Sequence, residues 1–150
     1  MKLKVPPVIV VAITVLLMWV IDKYVSVDFL VFNTPKWTII STATLGIVCI
    51  VLGVIQFSVK KTTVNPHKPE DSTSLVSSGI YSISRNPMYL GMLILLVFYG
   101  LFLGNGLVFL VLPIFVWYMN SFQIKPEEEM MNQLFGDEYK DYQKKVRRWI

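Results

Sequence analysis

Residues 37–59 contain no charged side chain. A helix rises about 1.5 Å per residue, so about 20 apolar residues cross the hydrocarbon core of a bilayer. This run is long enough to do so. Backbone N–H and C=O groups in lipid must be satisfied within the segment itself, which leaves helices as the reasonable form for such a run. Three further apolar runs accompany it, at about 5–21, 88–103 and 107–122. The last two are separated only by Gly104-Asn105-Gly106 and read as a tight helical hairpin. Pro113 is expected to kink the fourth run. The expected fold is therefore all-α: a polytopic membrane protein of four transmembrane helices forming one domain over 1–150.

Composition agrees. Charged residues make up 16% of the 150 residues, whereas soluble domains average about 25%. A soluble enzyme, a disordered chain and a disulfide scaffold are all poor readings. The single cysteine, Cys49, lies inside an apolar run and allows no internal disulfide. Lys2 and Lys4 precede the first run as they would in a signal peptide. No small-x-small cleavage site follows before Asp22, so an uncleaved first span is expected.

The formal net charge of +4 does not point to nucleic acid, because the basic residues flank the apolar runs. Twelve of the 14 lie at the N-terminus, between runs two and three, or in the C-terminal tail; only Lys23 and Lys36 fall elsewhere. The positive-inside rule then expects both termini, the long loop and the tail in the cytoplasm. The segment from Tyr24 to Lys36 is expected on the other face, lying at the interface.

The tail has a different pattern. Met131, Phe135, Tyr139, Tyr142, Val146 and Trp149 recur at steps of three and four, with lysines opposite. This predicts a C-terminal amphipathic cytoplasmic helix that lies on the bilayer or docks under the bundle. Its basic face would also attract anionic membrane lipid.

Two segments carry polar residues beyond what connectors need. The loop 62–86 exceeds the 2–8 residues usual between bundle helices. It ends in Arg85-Asn86-Pro87-Met88-Tyr89-Leu90-Gly91, running straight into the third apolar run. Pro87 is preset for a first helical turn and Asn86 is suited to the N-cap. That helix start, with Arg85 beside it, could bind an anion at the membrane surface. A simple cap with a snorkelling arginine explains the same residues. The second segment is Glu127-Glu128-Glu129, after Pro126. Acidic residues in a first turn suit the helix dipole. Placed near Arg85, they could instead complete a site for a zwitterion: amine on the acids, carboxylate on the arginine and amides.

The ordered set Gly79-x-Tyr81-x-x-x-Arg85-Asn86-Pro87-x-Tyr89-x-Gly91, then Glu127-Glu128, Phe135-Gly136-x-x-Tyr139-x-x-Tyr142 and Arg148-Trp149 resembles the isoprenylcysteine carboxyl methyltransferase and phospholipid methyltransferase superfamily. The stretch Thr62-Thr63-Val64-Asn65-Pro66 looks like its small bacterial members. The resemblance runs from Thr62 onward and implies that residues 62–150 form the cofactor-binding part. It implies an integral-membrane methyltransferase that uses S-adenosylmethionine and acts on a lipophilic small-molecule, lipid or isoprenylcysteine-like acceptor reached from the bilayer. It also implies cofactor contacts at Arg85, Asn86, Pro87, Tyr89, Gly91, Glu127 and Glu128; beside these we expect Tyr81 in the cofactor pocket and Glu128 and Arg148 as catalytic residues, with Arg147 or Arg148 orienting an anionic acceptor group. In this reading Gly91 permits close helix packing, and Tyr139, Tyr142 and Trp149 anchor the tail. One departure is Asn86, where the family motif commonly has histidine; asparagine can donate a hydrogen bond but cannot act as a base.

Other chemistries find little support. Gly104-x-Gly106 lacks the third glycine and a preceding strand, so no dinucleotide fingerprint is present. His67, the sole histidine, reads as a surface-loop residue, and no zinc-type ligand spacing occurs. The rival reading is a non-enzymatic four-span protein, an assembly partner or small transporter. The runs hold only Thr14, Ser41, Thr42, Thr44, Gln56 and Asn120 as notable polar residues and no buried charge, which counts against transport.

Overall fold

A computed structural model describes residues 5–25, 27–59 and 75–150. Lys2, Lys4, Lys60, Lys61, Lys68, His67 and the Thr62–Pro66 stretch lie outside the described residues, so the readings placed on them stay expectations. Among the described residues all regular structure is helical, with no strand and one isolated bridge between Val31 and Asn105.

Helix α1 is Pro7–Tyr24, α2 is Lys36–Val59 and α3 is Pro87–Leu103. Both α1 and α3 have proline in the first turn, where its missing N–H breaks no intrahelical bond. Several hydroxyls inside α1 and α2 bond back to their own helix. Thr14 donates to Val10 O at 2.8 Å, Thr42 to Thr38 O at 2.8 Å and Thr44 to Ile40 O at 2.8 Å. A hydroxyl bonded back to its own helix leaves no polar group exposed to lipid.

The fourth run departs from expectation. It opens as a 3-10 turn, Gly106–Leu110, and becomes helix α4, Val111–Met119. Pro113 therefore sits in the first turn of α4, where it is tolerated, and the irregularity falls later. A π turn, Asn120–Ile124, joins α4 to α5, Lys125–Lys145. The fourth run and the tail are thus one continuous 40-residue helical segment, Gly106–Lys145, and not a span followed by a separate helix. Within α5 the backbone breaks at Gly136 (φ 53°, ψ −123°), a conformation that favours glycine, so the tail is two helical pieces set at an angle.

Among the described residues three segments are long and apolar enough to cross a membrane: Pro7–Tyr24, Lys36–Gln56 and Gly106–Lys145. Helix α3, at 17 residues, is shorter than that measure requires. It is nonetheless the centre of the bundle, touching α1, α2 and α4. Its main apolar contacts gather Met18, Leu96, Val108, Phe115, Met119 and Ile124, each at most 2% exposed. On the α2 side the backbones meet closely. A Cβ on Gly91 would lie 2.7 Å from Gly46 O and 2.6 Å from Ile50 Cγ1, so only glycine fits.

At one end of the bundle the α1–α2 connection sits on the α3–α4 turn. Phe32 N donates to Gly104 O at 2.9 Å, and Asn105 Nδ2 donates to Val25 O at 3.1 Å. The opposite end gathers the start of α1, the 3-10 turn Gly79–Ser82, the start of α3 and all of α5. There Gln123, 1% exposed on the π turn, hydrogen-bonds through Nε2 to Val5 O.

Candidate active site

Arg85 and Glu128 are 43 positions apart in sequence, yet their side chains meet. Arg85 enters from the segment just before α3, which Ser84 shapes: fully buried, it accepts from Asn86 N at 3.1 Å. Glu128 enters from the first turn of α5. Arg85 Nη2 lies 3.1 Å from Glu128 Oε1, and each side chain is 11% exposed. Arg148, from beyond the end of α5, forks onto the same carboxylate: Nε to Oε1 at 3.1 Å and Nη2 to Oε2 at 2.5 Å. Two parallel N–H···O bonds make this a strong charge-assisted pair. The Glu128 bond raises the Arg148 pKa further above its ordinary value.

The balance is uneven: two guanidiniums share one carboxylate. Arg85 Nε and Nη1 are buried and have no hydrogen-bond partner among the described residues. A buried donor without an acceptor costs about 1–3 kcal/mol. A cationic surplus with two spare N–H groups is suited to an incoming anion.

Glu127 behaves differently from its neighbour. Tyr89, two positions into α3 from Pro87, donates its hydroxyl to Glu127 Oε1 at 2.5 Å. Burial pushes the Glu127 carboxyl up to about 7, the Tyr89 bond opposes that rise, and the nearby Glu128 adds to it. Adjacent carboxyls thus have separate environments, one locked between arginines and one poised near neutrality. The Tyr89 bond occupies Oε1 and leaves Oε2 for another donor.

The remaining residues singled out from sequence fall into place unevenly. Tyr81 is buried, and its carbonyl accepts from Tyr142 Oη at 2.6 Å, tying α5 to the 3-10 turn. Burial also raises the Tyr139 hydroxyl, to about 12. Pro87 is buried at the first position of α3. Gly91 faces α2 and is not brought to the charged cluster. Asn86 occupies the N-cap of α3, but its side chain makes no capping bond; Nδ2 donates to Arg148 O at 2.9 Å instead. Trp149 Nε1 donates to Asn120 Oδ1 at 3.1 Å, so its anchor is the π turn.

Some contributors gave weak sequence signals. Ser84 and Gln123 carry no local signal beyond their polarity, and Asn120 stands out only as a polar residue in an apolar run. Gly136 was visible as a glycine inside a helical pattern, which marks a possible break.

Apolar helices of spanning length that gather a buried charged cluster at one end define a multi-pass helical membrane protein with a polar site at its rim. The phospholipid methyltransferase family model matches residues 37–138, more than half of the chain. The chain belongs to that family. It is 29% identical over 115 residues to the protein-S-isoprenylcysteine O-methyltransferase of Schizosaccharomyces pombe, covering 73% of this chain and 49% of that one. It is 32% identical over 109 residues to the Dictyostelium discoideum protein of the same name, covering 68% and 46%. An uncharacterized Haemophilus influenzae protein is 48% identical over 63 residues, which are 42% of this chain and all of that one. The chain thus spans about half the length of the isoprenylcysteine O-methyltransferases it matches.

Proposed function

We propose that this chain is an integral-membrane methyltransferase that uses S-adenosylmethionine and methylates a lipophilic acceptor arriving from the bilayer. In this reading α1, α2, α3 and the segment from Gly106 are four spans, and both termini and the site face the cytoplasm, where the basic residues concentrate. The observation that carries it is the pair of buried, unpartnered N–H groups on Arg85 beside the Tyr89–Glu127 bond.

These residues fit the donor, which is a zwitterionic amino acid carrying a sulfonium. The spare Arg85 donors would receive its carboxylate. Glu127 would receive its ammonium or ribose through Oε2. Glu128 has both oxygens taken by arginines, so its part is to hold the guanidiniums rather than to touch the donor's amine. Arg148, with N–H groups beyond those on Glu128, would orient an anionic acceptor group. When bound, the donor supplies a methyl on a sulfonium, transferred in line to a nucleophile as a neutral thioether leaves. The chain's own work is orientation and exclusion of water. A carboxylate or thiolate acceptor needs no base; an ammonium would have to lose a proton first, and Glu127, poised near 7, can hold one. The isoprenylcysteine methyltransferase relatives and the phospholipid family model support a lipophilic acceptor.

Calorimetric titration of the detergent-solubilised chain with S-adenosylmethionine tests this. Arg85→Ala and Glu127→Ala should each weaken binding about 10- to 100-fold, the loss of one charge-assisted contact. No heat from wild type, or unchanged affinity in both variants, would overturn the assignment.

A further inference from the structure

The residues after α5 leave the helix in extended form, beginning at Val146 (φ −122°, ψ 132°). They run along the start of α3. Arg85 N donates to Arg147 O at 3.0 Å, and Asn86 Nδ2 donates to Arg148 O at 2.9 Å. Trp149 reaches the π turn at Asn120. The C-terminal segment is therefore a strap. Two consecutive residues of the Arg-Asn-Pro motif grip its backbone at Arg147 and Arg148, just where the Arg148 guanidinium leaves for Glu128.

We propose that Asn86 is a positioning residue that acts through Arg148: its side-chain amide latches the strap so that Arg148 and Arg85 converge on Glu128. This rests on the reading of the cluster as the donor site. Three observations carry it. The N-cap position would let the Asn86 side chain accept from the first turn of α3, yet it makes no such bond. Its amide instead faces a backbone carbonyl, which can only accept, so the donor must be Nδ2. The ring so closed runs from Asn86 through the Arg148 backbone and guanidinium to Glu128 and back to Arg85. With Arg85 Nη2 on Glu128, its Nε and Nη1 have no partner among the described residues. Latching the strap thus sets which arginine donors remain to meet an anion.

The test uses Asn86→Ser and Asn86→His in the full chain in detergent. Serine caps a helix as well as asparagine does, but is too short to reach Arg148 O. Histidine carries Nδ1 near the position of the amide nitrogen and can donate from it. The first measurement needs no donor: amide hydrogen exchange of Arg85, followed by NMR, reports strap release because that amide bonds Arg147 O. Exchange should be about tenfold faster in Asn86→Ser and close to wild type in Asn86→His. The second is S-adenosylmethionine affinity by calorimetry. Asn86→Ser should weaken it about tenfold alone and less than about twofold when added to Arg148→Ala, since a residue acting through another is non-additive with it. Unchanged Arg85 exchange in Asn86→Ser, failure of histidine to rescue, or an equal loss in both backgrounds would each overturn the proposal. Absence of donor binding in wild type would overturn the functional reading instead, while the exchange result would still judge the latch.

Discussion

Tyr89 and Glu127, on different helices, share a hydrogen bond of 2.5 Å at the rim of the bundle. The bond sits between a buried phenol and a carboxyl that burial pushes up to about 7. It favours the charged form of Glu127, while the surroundings favour the neutral one.

A pH dependence follows, and its sign is fixed. A carboxyl whose folded pKa exceeds its ordinary value of 4.5 holds its proton more tightly in the folded state. The stability this contributes is complete below about 4.5 and is lost as pH rises toward about 7, by at most about 1.4 kcal/mol per unit. Thermal unfolding in detergent should show the midpoint falling across that interval, and Glu127→Gln should flatten the fall. Tyr89→Phe removes the interaction that lowers the Glu127 pKa, so the interval should extend upward.

Glu128 is the residue whose loss should harm folding most. Glu128→Ala leaves the buried Arg85 guanidinium, and the partly exposed Arg148 beside it, without their counter-charge; breaking a buried pair costs about 3–5 kcal/mol. Chemical denaturation should register that loss, whereas Glu127→Gln should cost less than about 1 kcal/mol. A variant that removes both glutamates would therefore confound binding with unfolding.

Gly136→Ala should destabilise by about 1–3 kcal/mol. Nothing lies within 4 Å of a Cβ built there, so the cost is the positive φ of 53° and not a clash. Straightening α5 would move Tyr142 off Tyr81 O. Denaturant titration, together with loss of protection at Tyr81, checks this.

Asn105 offers a control at the far end. Its amide donates to Val25 O and its oxygen accepts from Leu107 N at 3.0 Å. Asn105→Ala should lower stability by about 1–2 kcal/mol and leave S-adenosylmethionine affinity within about twofold of wild type, as calorimetry would show.

The helices were legible in sequence because uncharged runs, first-turn prolines and the Gly104-Asn105-Gly106 turn each have a local cause. So was the nearness of Arg85 to the acidic cluster, since helices that follow one another across a bilayer alternate direction. What stayed hidden is non-local. Glu127 and Glu128 are adjacent and chemically identical, and only the partners facing them separate their environments. Asn86 looked like a cap because capping is a local property, whereas its partner is 62 positions away. The π turn left no trace in apolar periodicity, since Asn120–Ile124 simply continues the hydrophobic run at its polar edge. Pro113 misled for a related reason: a kink was expected from its place in the run, but the helix proper begins only two residues before it.

The continuous helical path from Gly106 to the break at Gly136 has a mechanical consequence. One rod begins at the distal hairpin and ends among the acidic groups, so any piston-like slide of α4 carries Glu127 and Glu128 with it relative to Arg85 and Tyr89 on α3.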